Sequence, residues 1–239
     1  MKSKLNHYDV AIVGGGISGL MAAHRLSTGC PGLKIVLVEK GAALSARRCP
    51  MITQKTGVCT HCPHCAIMEG IAGAGAFSDG KYVISTEYGG WLTDFLDSAT
   101  VLDYIEQADA LLVSFGATTQ RFAPDDELKT LCLKHDLHMQ QASLKHLGTD
   151  DNYATMQRMV EDVSQRIEIL THTEVTDVDK ETHTLHTPDG DITADAVIFA
   201  VGRAGSRGFT QWCRNNEIEM TNNQVDIGVR VELPALIWE

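Results

Sequence analysis

The sequence predicts an α/β chain built around a parallel sheet, on three observations. A short β-branched apolar run, Tyr8 to Val13 (YDVAIV), leads directly into three glycines and then a helix-period segment, ISGLMAAHRLS. A second run, Ile35 to Val38 (IVLV), follows after Gly29 and Pro31 end that segment. A third, Ala196 to Val201 (AVIFAV), lies far down the chain. Runs this short and this uniformly apolar fit strands covered on both faces. The first two, with the helix between them, make one β-α-β unit.

The remaining elements follow from pattern. Residues 41–90 are rich in Gly, Cys, Ser and Thr without a sustained period, and read as a long functional loop. Helical periodicity returns over 91–135, including TVLDYIEQADALLVSF, with Gly116 as a stop. Asp150 or Asp151 is placed to cap a further helix, NYATMQRMVEDVSQR. IEIL, TEVTDVD, THTLHT and DIT are short runs around a Pro188-Asp189-Gly190 turn, and predict a small antiparallel meander. A closing run, VDIGVRVEL, reads as one more strand.

Composition narrows the function. Twenty Lys and Arg against 31 Asp and Glu give a net charge of -11, which disfavours a nucleic acid or an anionic membrane held by bulk charge. The segment MKSKLNHYDV has no apolar signal core, and no run approaches a membrane span, so a cytoplasmic protein is expected.

Gly14-x-Gly16-x-x-Gly19 sits between a strand and a helix, where a dinucleotide fingerprint belongs. Gly14 allows the tight turn, Gly16 lets the backbone approach a pyrophosphate, and Gly19 brings helix and strand close. Ser18 lies within the same turn. Glu39, twenty residues past Gly19, stands where a carboxylate accepts hydrogen bonds from ribose hydroxyls, with Lys40 beside it. A free 2′-hydroxyl is implied, hence NAD or FAD; spacing alone does not separate them.

A second motif separates them by resemblance. DITADAVIFAVGRAG resembles the strand and Ala-Thr/Val-Gly-Arg turn of two-dinucleotide-binding flavoproteins of the glutathione-reductase type. That resemblance implies a Rossmann-like FAD-binding fold, with Gly202 near the FAD and Val175, in HTEVTDV, pairing with the adenine edge. YDVAIVGGGISGL, Arg47-Arg48-Cys49-Pro50, the CxxCxxC loop, GAGAFSDGK, HLGTD, AVGRAGS and DIGVRVE together resemble an uncharacterised group of NAD/FAD-utilising dehydrogenases. The group implies a flavin-dependent oxidoreductase passing hydride to or from a small organic substrate, with NAD(P)H as a possible electron donor. Ala72 departs from it, standing where another glycine is expected.

The loop supplies the candidate chemistry. Gly73, Ala74, Gly75 and Ser78 are placed to contact the isoalloxazine or pyrophosphate, and Arg47 and Arg48 to meet phosphate or ribose. Lys81 is a candidate for stabilising an anionic reduced flavin, and His146 for general acid or base work. Cys49, Cys59, Cys62 and Cys65 have spacings compatible with an iron–sulfur cluster, a zinc ion, or thiols without metal. Two other functions stay open: a flavin-binding module that modifies tRNA or does no chemistry, and a metal-cluster redox relay.

The expected organisation is an FAD-binding domain over 1–224, with a cysteine- and glycine-rich loop at 41–90 and a mainly helical insertion at 91–150. Residues 225–239 are expected to begin a truncated substrate domain. The late strand leading into Gly-Asp, usual in such flavoproteins, is missing: Gly190-Asp191 lies in a hairpin turn.

Overall fold

All four residues of the IVLV run are buried, which is what a central parallel strand demands: Ile35 and Leu37 enter one core and Val36 and Val38 the other. The computed structural model describes residues 6–87, 89–139, 142–222, and 225, 227–229, 232 and 234. Its strands are β1 (Asn6–Val13), β2 (Ile35–Val38), β3 (Lys81–Ile84), β4 (Ser143–His146), β5 (Glu168–Leu170), β6 (Asp177–Asp179), β7 (Thr184–His186) and β8 (Ile192–Phe199). Its α-helices are α1 (Ile17–Gly29), α2 (Pro50–Thr53), α3 (Ser98–Ser114), α4 (Asp126–Leu133), α5 (Thr149–Ser164) and α6 (Gly202–Asn215).

The main sheet has the order β5-β2-β1-β8-β7-β6. The first four strands are parallel, and β7 and β6 complete an antiparallel meander on β8. The sequence splits β8 into DIT and AVIFAV, whereas the structure makes one strand of 192–199 that pairs with both β7 and β1. Helices α1 and α5 cover one face through Leu20, Ala23, Met156, Met159 and Val163. The other face buries Tyr8, Ala11, Val13, Val178 and Leu185, with Trp212 of α6 packed against them.

IEIL, expected in the antiparallel meander, instead supplies the edge strand β5 and pairs parallel with β2. Three further sequence expectations change. The helix beginning near residue 149 is not capped by Asp150 or Asp151: Gly148 is its N-cap, without a side-chain bond, and both aspartates sit in the first turn. There their charge complements the helix dipole. Residues 81–84 and 143–146 form a separate two-stranded antiparallel sheet, with Tyr82 opposite Lys145. Residues 202–215 form α6, which the local sequence conceals because Gly202, Gly205 and Gly208 all oppose helix. Helix α3 ends as expected, with Gly116 at positive φ just beyond it. Of the predicted strand VDIGVRVEL, residues 225, 227–229 and 232 are described and lie in no strand, and the rest fall outside the described residues. No helix among the described residues is long and apolar enough to cross a membrane.

Candidate functional site

The carboxyl ends of β1, β2 and β8 open onto one cleft of about 370 Å³. This is the edge of a parallel sheet where ligands bind, and the volume is ordinary for a ligand site. Its walls include Val13, Val38 and Phe199 from those strand ends. Two helices begin on it. Helix α1 starts after Gly16 with no side-chain cap and no acidic residue in its first turn, and α6 starts at Gly202 in the same way. The first amides of each helix have no intrahelical acceptor, and both dipoles favour an anion in the cleft.

The glycines divide by task. A Cβ at Gly14 would lie 2.4 Å from the Ala200 carbonyl oxygen, and one at Gly19 only 2.0 Å from the Gly14 oxygen. Those two serve the close packing of turn, helix and β8. A Cβ at Gly16 would meet nothing nearer than Gly73 Cα, at 4.0 Å. Gly16 therefore leaves space on the cleft side, as a backbone cradle for a phosphate requires.

Of the residues singled out from sequence, Gly14, Gly16, Ser18, Glu39, Lys40, Gly73, Ala74, Gly75, Val175 and Gly202 line this cleft. Glu39 is 7% exposed and accepts three backbone N–H bonds. Gly15 donates to Oε2 at 2.7 Å, while Gly41 and Gly70 donate to Oε1 at 2.8 and 3.1 Å. Each carboxylate oxygen has two lone pairs, so Oε2 keeps one for a ligand hydroxyl. The carboxylate thus ties the fingerprint turn to the glycine loop besides facing the cleft. Lys40 pairs with Glu69 at 3.2 Å, and His64 approaches the same carboxylate at 3.2 Å.

The other singled-out residues stand elsewhere. Arg47 is buried and does not reach the cleft as a phosphate ligand. Its guanidinium donates to the carbonyls of Ala66, Ile67, Ile71 and Gly73 at 2.7 to 3.0 Å and lies 4.7 Å from the Phe77 ring centre. Burial lowers its pKa, and the neighbouring Glu39 and Cys65 oppose that shift. Arg48 does not line the cleft, and Ser78 turns back to the Gly75 carbonyl at 2.8 Å. Lys81 and His146 face each other across β3 and β4, off the cleft. Both are about half exposed and share Asp79, at 3.0 and 3.6 Å. The Lys81 ammonium, joined by His146, holds the Asp79 carboxyl below the usual carboxylate range.

The four-thiolate metal set is not assembled. Cys49, Cys59, Cys62 and Cys65 are all free thiols, Cys59 exposed and the other three partly exposed. Among the described residues no three metal-ligating side chains are gathered to hold an ion. The residues as placed do not fit a zinc or iron–sulfur site.

Several lining residues escaped the sequence reading. Arg203, in the first turn of α6, puts a cation on the cleft, and Thr173, Glu174 and Thr176 line it beside Val175. Phe199, Phe209 and Trp212 form an aromatic wall with centroid separations of 4.6 to 5.9 Å. The signal was Phe209 and Trp212 three apart on one helical face, legible only once α6 is recognised.

The family profile of the FAD dependent oxidoreductases, DAO, matches residues 9–212. The chain belongs to this family. The glycine cradle, the two helix N-termini and Glu39 are consistent with its cofactor, FAD. Among solved structures, the FAD dependent oxidoreductase chain is similar to an L-amino acid deaminase from Proteus vulgaris, with 17% identity and a TM-score of 0.52 over 92% of this chain and 52% of that one. It is also similar to a quinol fumarate reductase FrdA from E. coli, with 16% identity and a TM-score of 0.50 over 84% and 34%. A glycine oxidase from Geobacillus kaustophilus matches at 18% identity and a TM-score of 0.49 over 84% and 58%. At such identities the likeness is one of fold. The chain spans between about a third and three fifths of the length of these proteins. No curated protein sequence matches it.

Proposed function

We propose that this chain holds FAD in the cleft at the sheet's carboxyl edge and forms the cofactor-binding part of an oxidoreductase acting on a small organic substrate. One observation carries the reading: two uncapped helix N-termini and a glycine cradle converge on that cleft. The first-turn amides of α1 and α6 would bind the pyrophosphate, with Arg203 neutralising charge. Glu39 Oε2 would accept from a ribose hydroxyl, and the backbone at Val175 would face the adenine edge. Bound flavin supplies hydride transfer. The protein's part is to bind, orient and shield it, with Phe199, Phe209 and Trp212 closing one wall.

The finer placement within the glutathione-reductase-type lineage, NAD(P)H as electron donor, a cytoplasmic location and an FAD-binding domain ending near residue 224 belong to the same proposal. The net charge of -11 supports a small-molecule substrate over a nucleic acid or membrane partner.

Titration of the flavin-free protein tests this. FAD and ADP should quench Trp212 emission and NADP⁺ should bind far more weakly, since Glu39 repels a 2′-phosphate. A folded protein that binds neither FAD nor ADP would overturn the proposal.

A further inference from the structure

Within the glycine loop Ser78 returns its hydroxyl and its N–H to the Gly75 carbonyl at 2.8 and 3.1 Å, and contacts from outside the loop fix it on two sides. Arg47 holds it from one side through four carbonyls. Asn152 holds it from the other. This residue of α5 is 1% exposed, and its Nδ2 donates to the Gly75 carbonyl at 2.8 Å. Its Oδ1 accepts from the Tyr82 hydroxyl at 2.6 Å. A Cβ at Gly80 would lie 2.9 Å from Asn152 Cβ, so the side chain fills a tight space.

The amide can point only one way. Flipped, its oxygen would face the Gly75 carbonyl, acceptor against acceptor, in a buried site. Tyr82 reinforces the orientation as long as it keeps its proton, and burial with the nearby Asp109 pushes its pKa up to about 12. Tyr82 is itself fixed by its strand, opposite Lys145, which is buried in a 2.7 Å ion pair with Asp109.

We infer that Asn152 is a positioning residue of the cofactor cleft, turning the Gly75 carbonyl away from the ligand and setting the loop edge that packs at Gly16. The inference rests on the FAD reading above. Asn152 does not line the cleft; it acts through Gly75, which does.

The isosteric Asn152→Asp variant separates positioning from general stability. An ionised aspartate cannot donate to the Gly75 carbonyl, so FAD affinity at neutral pH should fall by about tenfold, the loss expected for one buried hydrogen bond. The visible circular dichroism of bound FAD should change with it. Lowering the pH protonates the buried carboxyl, which regains a donor, so affinity and dichroism should recover toward wild type. Asn152→Ala should show the loss without the recovery. Wild type and the alanine variant measured over the same range remove the titration of Asp79, His146, Asp109, Lys145 and the aspartates of α5. If Asn152→Asp does not fold, Tyr82→Phe decides: leaving the buried Asn152 Oδ1 without its donor loosens the amide's hold on Gly75 and should weaken FAD by a few-fold, about the value of a modest hydrogen bond. Wild-type affinity and dichroism in a folded Asn152→Asp protein, a loss without acid recovery, or an unaffected Tyr82→Phe in its place would overturn the inference. Failure of the wild type to bind FAD would instead overturn the FAD reading.

Discussion

Gly16→Ala adds one methyl group at the mouth of α1, and the structure gives the size of its effect. Gly16 has φ -70° and ψ -177°, extended backbone that any residue adopts. The new Cβ meets only Gly73 Cα, at 4.0 Å, an ordinary van der Waals contact. The flavin-free protein should therefore lose no more than about 1 kcal/mol, the upper range for exchanging an N-cap glycine for alanine. Binding should suffer more, because the methyl stands where a phosphate must reach the helix amides. Losing one charge-assisted hydrogen bond costs about 1.5–3 kcal/mol, so the FAD dissociation constant should rise roughly 10- to 100-fold. Gly19→Ala is the counterpart: its Cβ would lie 2.0 Å from the Gly14 oxygen, and overpacking of that kind costs roughly 3 kcal/mol or more. Urea unfolding of the flavin-free proteins and FAD titrations give both quantities. A normally folded Gly16→Ala protein with wild-type FAD affinity would refute the cradle argument. So would equal destabilisation by the two substitutions.

Arg47→Met should destabilise the flavin-free protein by about 3 kcal/mol or more in denaturant, because several buried carbonyls lose their donor together. Tyr8 bonds Glu168 at 2.7 Å, and burial with that carboxylate raises its pKa to about 12. The folded pKa lies above the unfolded one, so the stability is complete below about pH 10 and is lost as pH rises toward about 12. Tyr8→Phe should flatten that alkaline loss in melts recorded across the range, and an unchanged slope would count against it. Replacing Cys59, Cys62 and Cys65 together by serine should leave metal content by elemental analysis unchanged. A stoichiometric metal present in the wild type and absent from the variant would restore a metal site.

How much of this was legible depended on where each partner lies in the chain. The β1-α1-β2 unit could be read because strand, glycines and helix are contiguous, and their signals are local. The β3–β4 pair could not, since KYVI and SLKH are short and meet only across the intervening helices α3 and α4. Glu39 was found by its spacing, but the three amides it collects come from Gly15, Gly41 and Gly70, and only the fold brings them together. Arg47 was noticed for its charge, whereas its placement is decided by carbonyls that any sequence would carry. Ala72, the departure noted in the glycine loop, stands at φ 70° and is buried, a left-handed position where glycine would be unstrained.

The double pairing of β8 bears on how the molecule is made. His7 and Thr193, side by side on β1 and β8, are 186 residues apart in the chain. During synthesis β1 must wait for the 186 residues that separate the paired His7 and Thr193 with one hydrogen-bonding edge open. Such non-local closure is slow, and an open edge invites pairing with another chain. The cleft needs Phe199, Ala200 and the start of α6, so cofactor capture comes after that closure. FAD supplied during translation should raise the soluble yield by trapping the closed sheet, and a chain stopped before residue 192 should aggregate whether or not flavin is present.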